Sequence, residues 1–345
     1  MKTHSYYGAI ALIFALATAV RIIAIPYFGD GLNGNPVDIY YVDREAARLI
    51  LELKDPYLYS NYTNQIGGIV TFAYLPLVPV YYAPFVLIGA DIRYGNILAD
   101  LIITAALYFI GKSSSRTTSS RSPVLFSGSL AYAVLPTSIW LSAVTGSNMM
   151  IGSMFLIVAL AFLLEGNHYI LSSIFLGLAL ATNQFMVLVF PLVALYCFRN
   201  RQLKPLLTTI LVSGAIVLPF FLYSPSRFAY DVLLFQFERP LQSNGLFSLY
   251  GLLYATTGFK IGTLYRLIVF LVPAAFSTFL FSKTKTMMLV GIAVVSALGA
   301  FLLPVDGFWS YFLLPMTMIC ALVPAVLTKS PHSEQASSRS SKSGE

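Results

Sequence analysis

Charge is what this sequence has least of. Of 345 residues only 10% are Asp, Glu, Lys or Arg, against about 25% in a soluble domain. That excludes a water-soluble globular fold. Cysteine is nearly absent: Cys197 and Cys320 are the only two, and both fall inside apolar runs, so no disulfide framework is implied. The three histidines, His4, His168 and His332, are scattered. No Cys/His cluster of zinc spacing, nucleotide loop or Gly-rich phosphate cradle occurs. No metal and no other cofactor is expected. Strict alternation of apolar and polar residues is missing as well, which excludes an outer-membrane barrel.

Long apolar runs are what the chain does have. Hydrophobic residues make up 57% of it and the mean hydropathy is +0.77. A helix needs about 20 apolar residues to cross a bilayer. Such stretches recur near 8–28, 69–90, 94–111, 123–145, 147–164, 169–198, 206–223, 263–281, 286–304 and 309–328. The run 169–198 is long enough for two short spans broken at Thr182-Asn183-Gln184. The expected fold is all-α, a polytopic bundle of about ten transmembrane helices over residues 1–328. A Ser-rich tail, 329–345, reads as disordered and cytoplasmic. Lys2, an apolar run and Ala17-Thr18-Ala19 mimic a signal peptide, but apolar sequence continues past Arg21 to Phe28, which fits an uncleaved anchor better.

The charges sort by side. Lys112/Arg116/Arg121, Arg199/Arg201/Lys204, Lys283/Lys285 and Lys329/Arg339/Lys342 form short basic segments, cytoplasmic by the positive-inside rule. With Lys2 they hold 12 of the 21 basic residues, while 3 of the 14 acidic ones share that side. The net charge of +7 is therefore an orientation signal, and no nucleic-acid partner is implied. Parity then demands one correction. If 30–65 is exterior, crossings at both 69–90 and 94–111 would put Lys112 outside. The run 69–90 carries Pro76, Pro79 and Pro84 with Tyr74, Tyr81 and Tyr82. Proline kinks a helix and tyrosine favours the interface, so this run is read as dipping into the outer leaflet and returning.

The exterior loop from 29 to 75 is the most informative region. Residues 43–54 place Ala46, Leu49, Ile50 and Leu53 on one helical face and Arg44, Arg48 and Glu52 on others, as in an amphipathic helix lying at the membrane surface and stopped by Pro56. Asp38 follows a Gly/Asn/Pro loop. It is placed either to cap this helix or to serve as the single base that an inverting glycosyl transfer needs to take the acceptor's proton. The residues alone leave both roles standing.

Val37-Asp38-Ile-Tyr40-Tyr, then Glu45-Ala-Ala-Arg48-Leu, Asp55-Pro56-Tyr57 and Phe72-Ala-Tyr74-Leu-Pro76-Leu resemble the signature of GT-C class integral-membrane glycosyltransferases. They are most similar to mannosyltransferases that use polyprenyl- or dolichyl-phosphate mannose. Weaker echoes follow in order: Leu135-Pro136 with Gly146-Ser147-Asn148, Gly177 to Gln184, Phe235 to Leu249, and Tyr311-Phe-Leu-Leu-Pro315. The resemblance implies an inverting transfer of a hexose, mannose first, from a polyprenyl or dolichyl phosphate to a lipid-linked or glycan acceptor. The active site would lie on the exterior face of the cell membrane. It makes Asp38 the catalytic base, with Asp30, Asp43, Tyr40, Asn148 and Gln184 as acceptor or supporting groups. Two departures stand out: a single Asp38 where some relatives have Asp-x-Asp, and Asn183-Gln184 where they carry lysine.

A lipid phosphate calls for a forked, permanent cation. Arg239, beside Gln236 and Gln242, is the first choice for the donor phosphate, and Arg266 at the outer end of the next span would assist. Arg21 is expected to pair with an exterior carboxylate, and Asp100 to line a cavity or bond a neighbouring helix. The rival reading is a transporter or lipid flippase. Its hallmark would be paired repeats with broken helices and midplane charges, whereas this chain gathers acidic groups in one loop.

Overall fold

The computed structural model describes residues 2–28, 38–59, 62–63, 69–114, 123–166, 168–235, 248–304 and 309–327. Asp30, Gln236, Arg239 and the tail lie outside them, as does the side chain of Asp38.

Fifteen α-helices are described: α1 Lys2–Phe28, α2 Asp38–Leu51, α3 Leu77–Leu87, α4 Arg93–Ser114, α5 Ser127–Ala133, α6 Pro136–Ile139, α7 Met149–Glu165, α8 Tyr169–Leu180, α9 Gln184–Arg199, α10 Leu203–Tyr223, α11 Pro225–Ala229, α12 Leu249–Thr257, α13 Thr263–Phe281, α14 Lys285–Leu302 and α15 Leu313–Leu327. A two-residue antiparallel pair, β1 Tyr62–Thr63 with β2 Ile69–Val70, interrupts the helices. Among the described residues six helices are long and apolar enough to cross a membrane, and the bent pair 124–144 makes a seventh. Three shorter apolar helices, α7, α8 and α9, run between the same two ends. The chain is a polytopic helical membrane protein. Of α10's 21 residues Thr209 is the one buried, and Leu207, Ile210, Leu211, Leu218 and Leu222 stand exposed. Such a surface is a lipid surface, since water would reject it.

Side-chain contacts fix the direction of each helix. At one end Tyr7 of α1 meets Phe126, on which Tyr108 of α4 stacks. Lys285 donates to the Leu164 carbonyl, and Arg199 to that of Phe279, at that same basic end. At the opposite end gather α2, the start of α4, the start of α7 and the break between α8 and α9. The helix α3 has 11 residues, about 17 Å of rise against a hydrocarbon core of about 30 Å. It packs on α2, and the chain re-enters the bundle at Arg93. The contact of Tyr7 with Phe126, on which Tyr108 stacks, puts Lys112 at the same end of the bundle as the amino terminus.

The amphipathic helix differs from its expected limits. It begins at Asp38 and ends at Leu51, five residues before Pro56. Its end is set by Leu53, whose φ of 55° is left-handed, and by the Lys54 amide donating to the Leu49 carbonyl at 2.9 Å, a reversal that closes a helix without proline. Pro56 opens a 3₁₀ turn whose cap is Asp55. The expected break at 182–184 is present, and its freed carbonyls find partners: Leu75 donates to Thr182 and Leu77 to Ala181 at 3.2 and 3.0 Å. A buried backbone group must pair, so the break itself recruits the 71–77 segment.

Inside the bundle Arg21 pairs with Asp100, both side chains 2% exposed. Arg21 also donates to the Ala133 carbonyl at 3.0 Å and to Ser138 Oγ at 2.7 Å. The partner of Arg21 is therefore a carboxylate within a span and not one in the loop. Asp100 serves that pair, because a lone charge in hydrocarbon is costly.

Candidate functional site

The α2 end of the bundle has two faces, both organised by α2. One faces inward. Asp43 and Asn148 are fully buried, and the Asn148 amide donates to Asp43 Oδ1 at 3.3 Å. Asn148 precedes α7, so the bond ties the loop helix to a bundle helix. Beside it Tyr82 of α3 donates to Asn96 Oδ1 of α4 at 2.6 Å. Asp43 Oδ2, Asn148 Oδ1 and Asn96 Nδ2 have no hydrogen-bond partner among the described residues. Burial pushes the Asp43 carboxyl well above the usual carboxylate range, and the Asn148 bond offsets this only in part. A neutral acid there fits the enclosure, since an unpaired buried carboxylate is strongly disfavoured.

The same inward face carries Tyr40. The Arg93 guanidinium lies over its ring at 5.2 Å and is clamped by Asp91 at 2.6 Å. Burial and the neighbouring Asp91 push the Tyr40 hydroxyl up to about 12. Asp91 also accepts from the Arg93 amide at 2.8 Å, capping α4. Gly146 closes the cluster with a φ of +67°; a Cβ there would sit 3.3 Å from both Arg93 and the Tyr40 ring. A π-helical turn, Trp140–Val144, leads into this glycine. Single π turns are frequent at functional sites.

The outward face of α2 borders a cavity of about 470 Å³, walled by Tyr41, Arg44, Glu45, Arg48, Tyr59 and Tyr62, with Val86 of α3 at its edge. Residues 38, 41, 42 and 45 follow the i, i+3, i+4, i+7 repeat of one helical face. Asp38 lies in the first turn of α2, the helix that borders the cavity. The same helix carries Tyr40 and Asp43 on its inward side.

A further buried carboxylate lies in the segment that follows α11, which Asp55 and Gln184 tie to the first loop. Asp231 is 1% exposed, held by Arg227 Nε at 3.2 Å, and burial raises its pKa. Asp55 accepts from Ser224 at 2.8 Å, the residue just before α11. Gln184 donates to the carbonyls of Ala73 and Val232, each at 2.7 Å. Its role in the described structure is to staple the first loop to the segment leading into residues 236–247. Arg266 does not reach towards water: it is 5% exposed, lies over Tyr250 at 4.7 Å, and donates to the Leu303 carbonyl and to Thr263 Oγ1.

The structure thus brings Tyr40, Asp43 and Asn148 together and sets Gln184 and Arg266 in separate places. Sequence reasoning missed the Asp91–Arg93 pair. The signal was there as Asp-x-Arg immediately before an apolar span, on the side expected to be poor in basic residues. Among the described residues no three His, Cys, Asp or Glu side chains converge as metal ligands.

No protein-family model and no curated protein matches this chain. Solved structures do. ArnT from Cupriavidus metallidurans, bound to undecaprenyl phosphate, shares the fold with a TM-score of 0.62 and 14% identity, over 95% of this chain and 62% of that one. The archaeal oligosaccharyltransferase AglB from Archaeoglobus fulgidus, in complex with an inhibitory peptide and a dolichol-phosphate, gives 0.55 and 12%, over 96% of this chain and 51% of that one. The chain spans less than two thirds of either protein's length. At these identities the likeness is one of fold, and the fold is a GT-C type membrane bundle.

Proposed function

We propose that the protein is an inverting glycosyltransferase that moves a hexose, mannose by the motif resemblance, from a polyprenyl or dolichyl phosphate to a lipid-linked or glycan hydroxyl at the exterior membrane face. The observation that carries the reading is α2 itself, which begins at Asp38 and borders the 470 Å³ cavity through Tyr41, Arg44, Glu45 and Arg48. The polyprenyl phosphates bound in two structures of the same fold support the donor class.

In this reading the acceptor hydroxyl enters the cavity and Asp38 takes its proton. The oxygen forms a bond to the anomeric carbon as the bond from that carbon to phosphate breaks, and the electron pair leaves on the lipid phosphate. Arg239 with Gln236 meets that developing charge, and Arg266 steadies α13 through Leu303, Thr263 and Tyr250. The inward cluster around Asp43 and Asn148 holds α2 in place.

The test is sugar transfer in proteoliposomes by Asp38→Asn, with folding checked by thermal melting. A positioned base contributes about 10²–10⁴-fold, so a loss of that order, with free polyprenyl phosphate released by the native chain in step with acceptor consumed, is expected. Near-full activity of a folded variant would overturn the assignment. Vectorial solute movement without release of lipid phosphate would point to a transporter.

A further inference from the structure

We propose that the cavity on the outward face of α2 is the acceptor subsite, and that it selects a lipid-borne sugar headgroup carrying one negative charge. Its identity as an acceptor subsite rests on the transferase reading above; its charge preference does not.

The charge of the walls is set by three side chains. Glu45 is held by Arg48 through both oxygens, at 2.6 and 2.9 Å, and Arg48 also pairs with Glu52, itself bound by Lys54 at 2.7 Å. Those four groups neutralise one another. Arg44 remains: it is exposed, borders the cavity and forms no ion pair with a described carboxylate. Among the described residues the cavity therefore presents one guanidinium that no carboxylate holds, and it is suited to a phosphate or carboxylate.

The remaining walls suit a sugar ring. Tyr59 and Tyr62 meet edge to face at 5.0 Å, and Tyr41 closes the other side. Tyr62 is fixed by its hydroxyl donating to the Pro56 carbonyl at 2.9 Å. Rigid aromatic walls with a few placed polar groups are the usual make-up of a small-ligand site. A volume of about 470 Å³ accommodates one or two hexose rings.

The rim points to a lipid-borne ligand. Val86 leads directly to Leu87 and Ile88 at the tip of α3, 71% and 75% exposed, and Leu53 at the end of α2 is 96% exposed. Apolar side chains left bare around a polar cleft belong in the membrane interface. A headgroup rising from the outer leaflet would enter beside Val86.

The experiment uses the full chain in phosphatidylcholine nanodiscs, doped with glucuronosyl diacylglycerol or with its neutral match, glucosyl diacylglycerol. Lipid retention is read by native mass spectrometry, without any transfer step. The acidic lipid is expected to bind at least about tenfold tighter. Arg44→Gln should erase that preference, Arg44→Lys should keep most of it, and Tyr59→Ala should weaken both lipids. Equal retention of the two lipids, or a preference that survives Arg44→Gln, overturns the proposal. Soluble methyl glucuronide binding as tightly as the lipid overturns its lipid-borne part. If the preference holds while Asp38→Asn keeps full transfer, the transferase mechanism fails and the charged-headgroup site stands.

Discussion

Asn148, at the start of α7, donates its amide to Asp43 of α2 across 3.3 Å in a fully buried setting. This bond joins residues 105 positions apart in sequence and fixes the helix that carries Asp38. Because burial raises the Asp43 carboxyl, the folded state holds a proton that the unfolded chain releases near pH 4. Its contribution to stability is complete below that pH and is lost as pH rises towards the folded value. The native protein in detergent should therefore melt at falling temperature as pH rises from about 4. Asp43→Asn keeps the shape without the proton. Its melting temperature should vary less with pH over that window and exceed the native value at neutral pH. An unchanged pH slope would show that Asp43 is ionised in the fold.

Arg21 and Asp100 form the second relationship with a measurable consequence. Removing one partner of a buried ion pair leaves an uncompensated charge and costs about 3–5 kcal/mol. Asp100→Asn should lower stability by that order, since Arg21 would retain the neutral Ala17 and Ala133 carbonyls and Ser138 but no described carboxylate. Replacing both partners with Arg21→Met and Asp100→Leu should recover at least half the loss, because the apolar pair leaves no charge in hydrocarbon. Denaturant titration of the three variants in one detergent checks it.

Gly146 offers a third. Its left-handed φ alone would cost alanine about 1–2 kcal/mol. The added methyl would also press on Arg93 and the Tyr40 ring at 3.3 Å. Gly146→Ala should lower the melting temperature and, by shifting Tyr40, disturb the α2 helix. Hydrogen exchange of residues 38–51 should rise in the variant, while that of α13 and α14 stays as in the native chain.

What was legible in the sequence follows from what is local. Basic loops mark one membrane side because translocation of each short segment is biased by its own charges, so the end that Lys112 shares with the amino terminus was legible from its charge. The register of α2 was legible from its apolar spacing. Its first turn was not, because Asp38 to Val42 carries no apolar period that distinguishes a capped start from a loop. The Asp43–Asn148 bond and the Gln184 staple bridge more than 100 residues; packing decides them, and no spacing encodes it. Arg266 is expected from the sequence to assist at the donor phosphate. Inside the bundle it finds a carbonyl, a hydroxyl and an aromatic face, and those make burial tolerable.

Gln184 separates a structural from a substrate role most sharply. Both its amide hydrogens are spent, at 2.7 Å each, on the carbonyls of Ala73 and Val232. Gln184→Leu keeps the volume and strands both acceptors, at about 1–3 kcal/mol for each that stays dry. The variant should melt earlier, and proteolysis or hydrogen exchange should show loosening of 71–76 and 225–235 together, since the staple joins them. If Gln184 contacted the acceptor instead, the acceptor KM would rise with melting unchanged, and that result would return it to the binding site. Gln184→Glu tests the same point by charge. A carboxylate has no hydrogen to give, so it would face two carbonyl oxygens and destabilise at least as much as leucine, whereas a lost substrate contact alone would leave the fold intact.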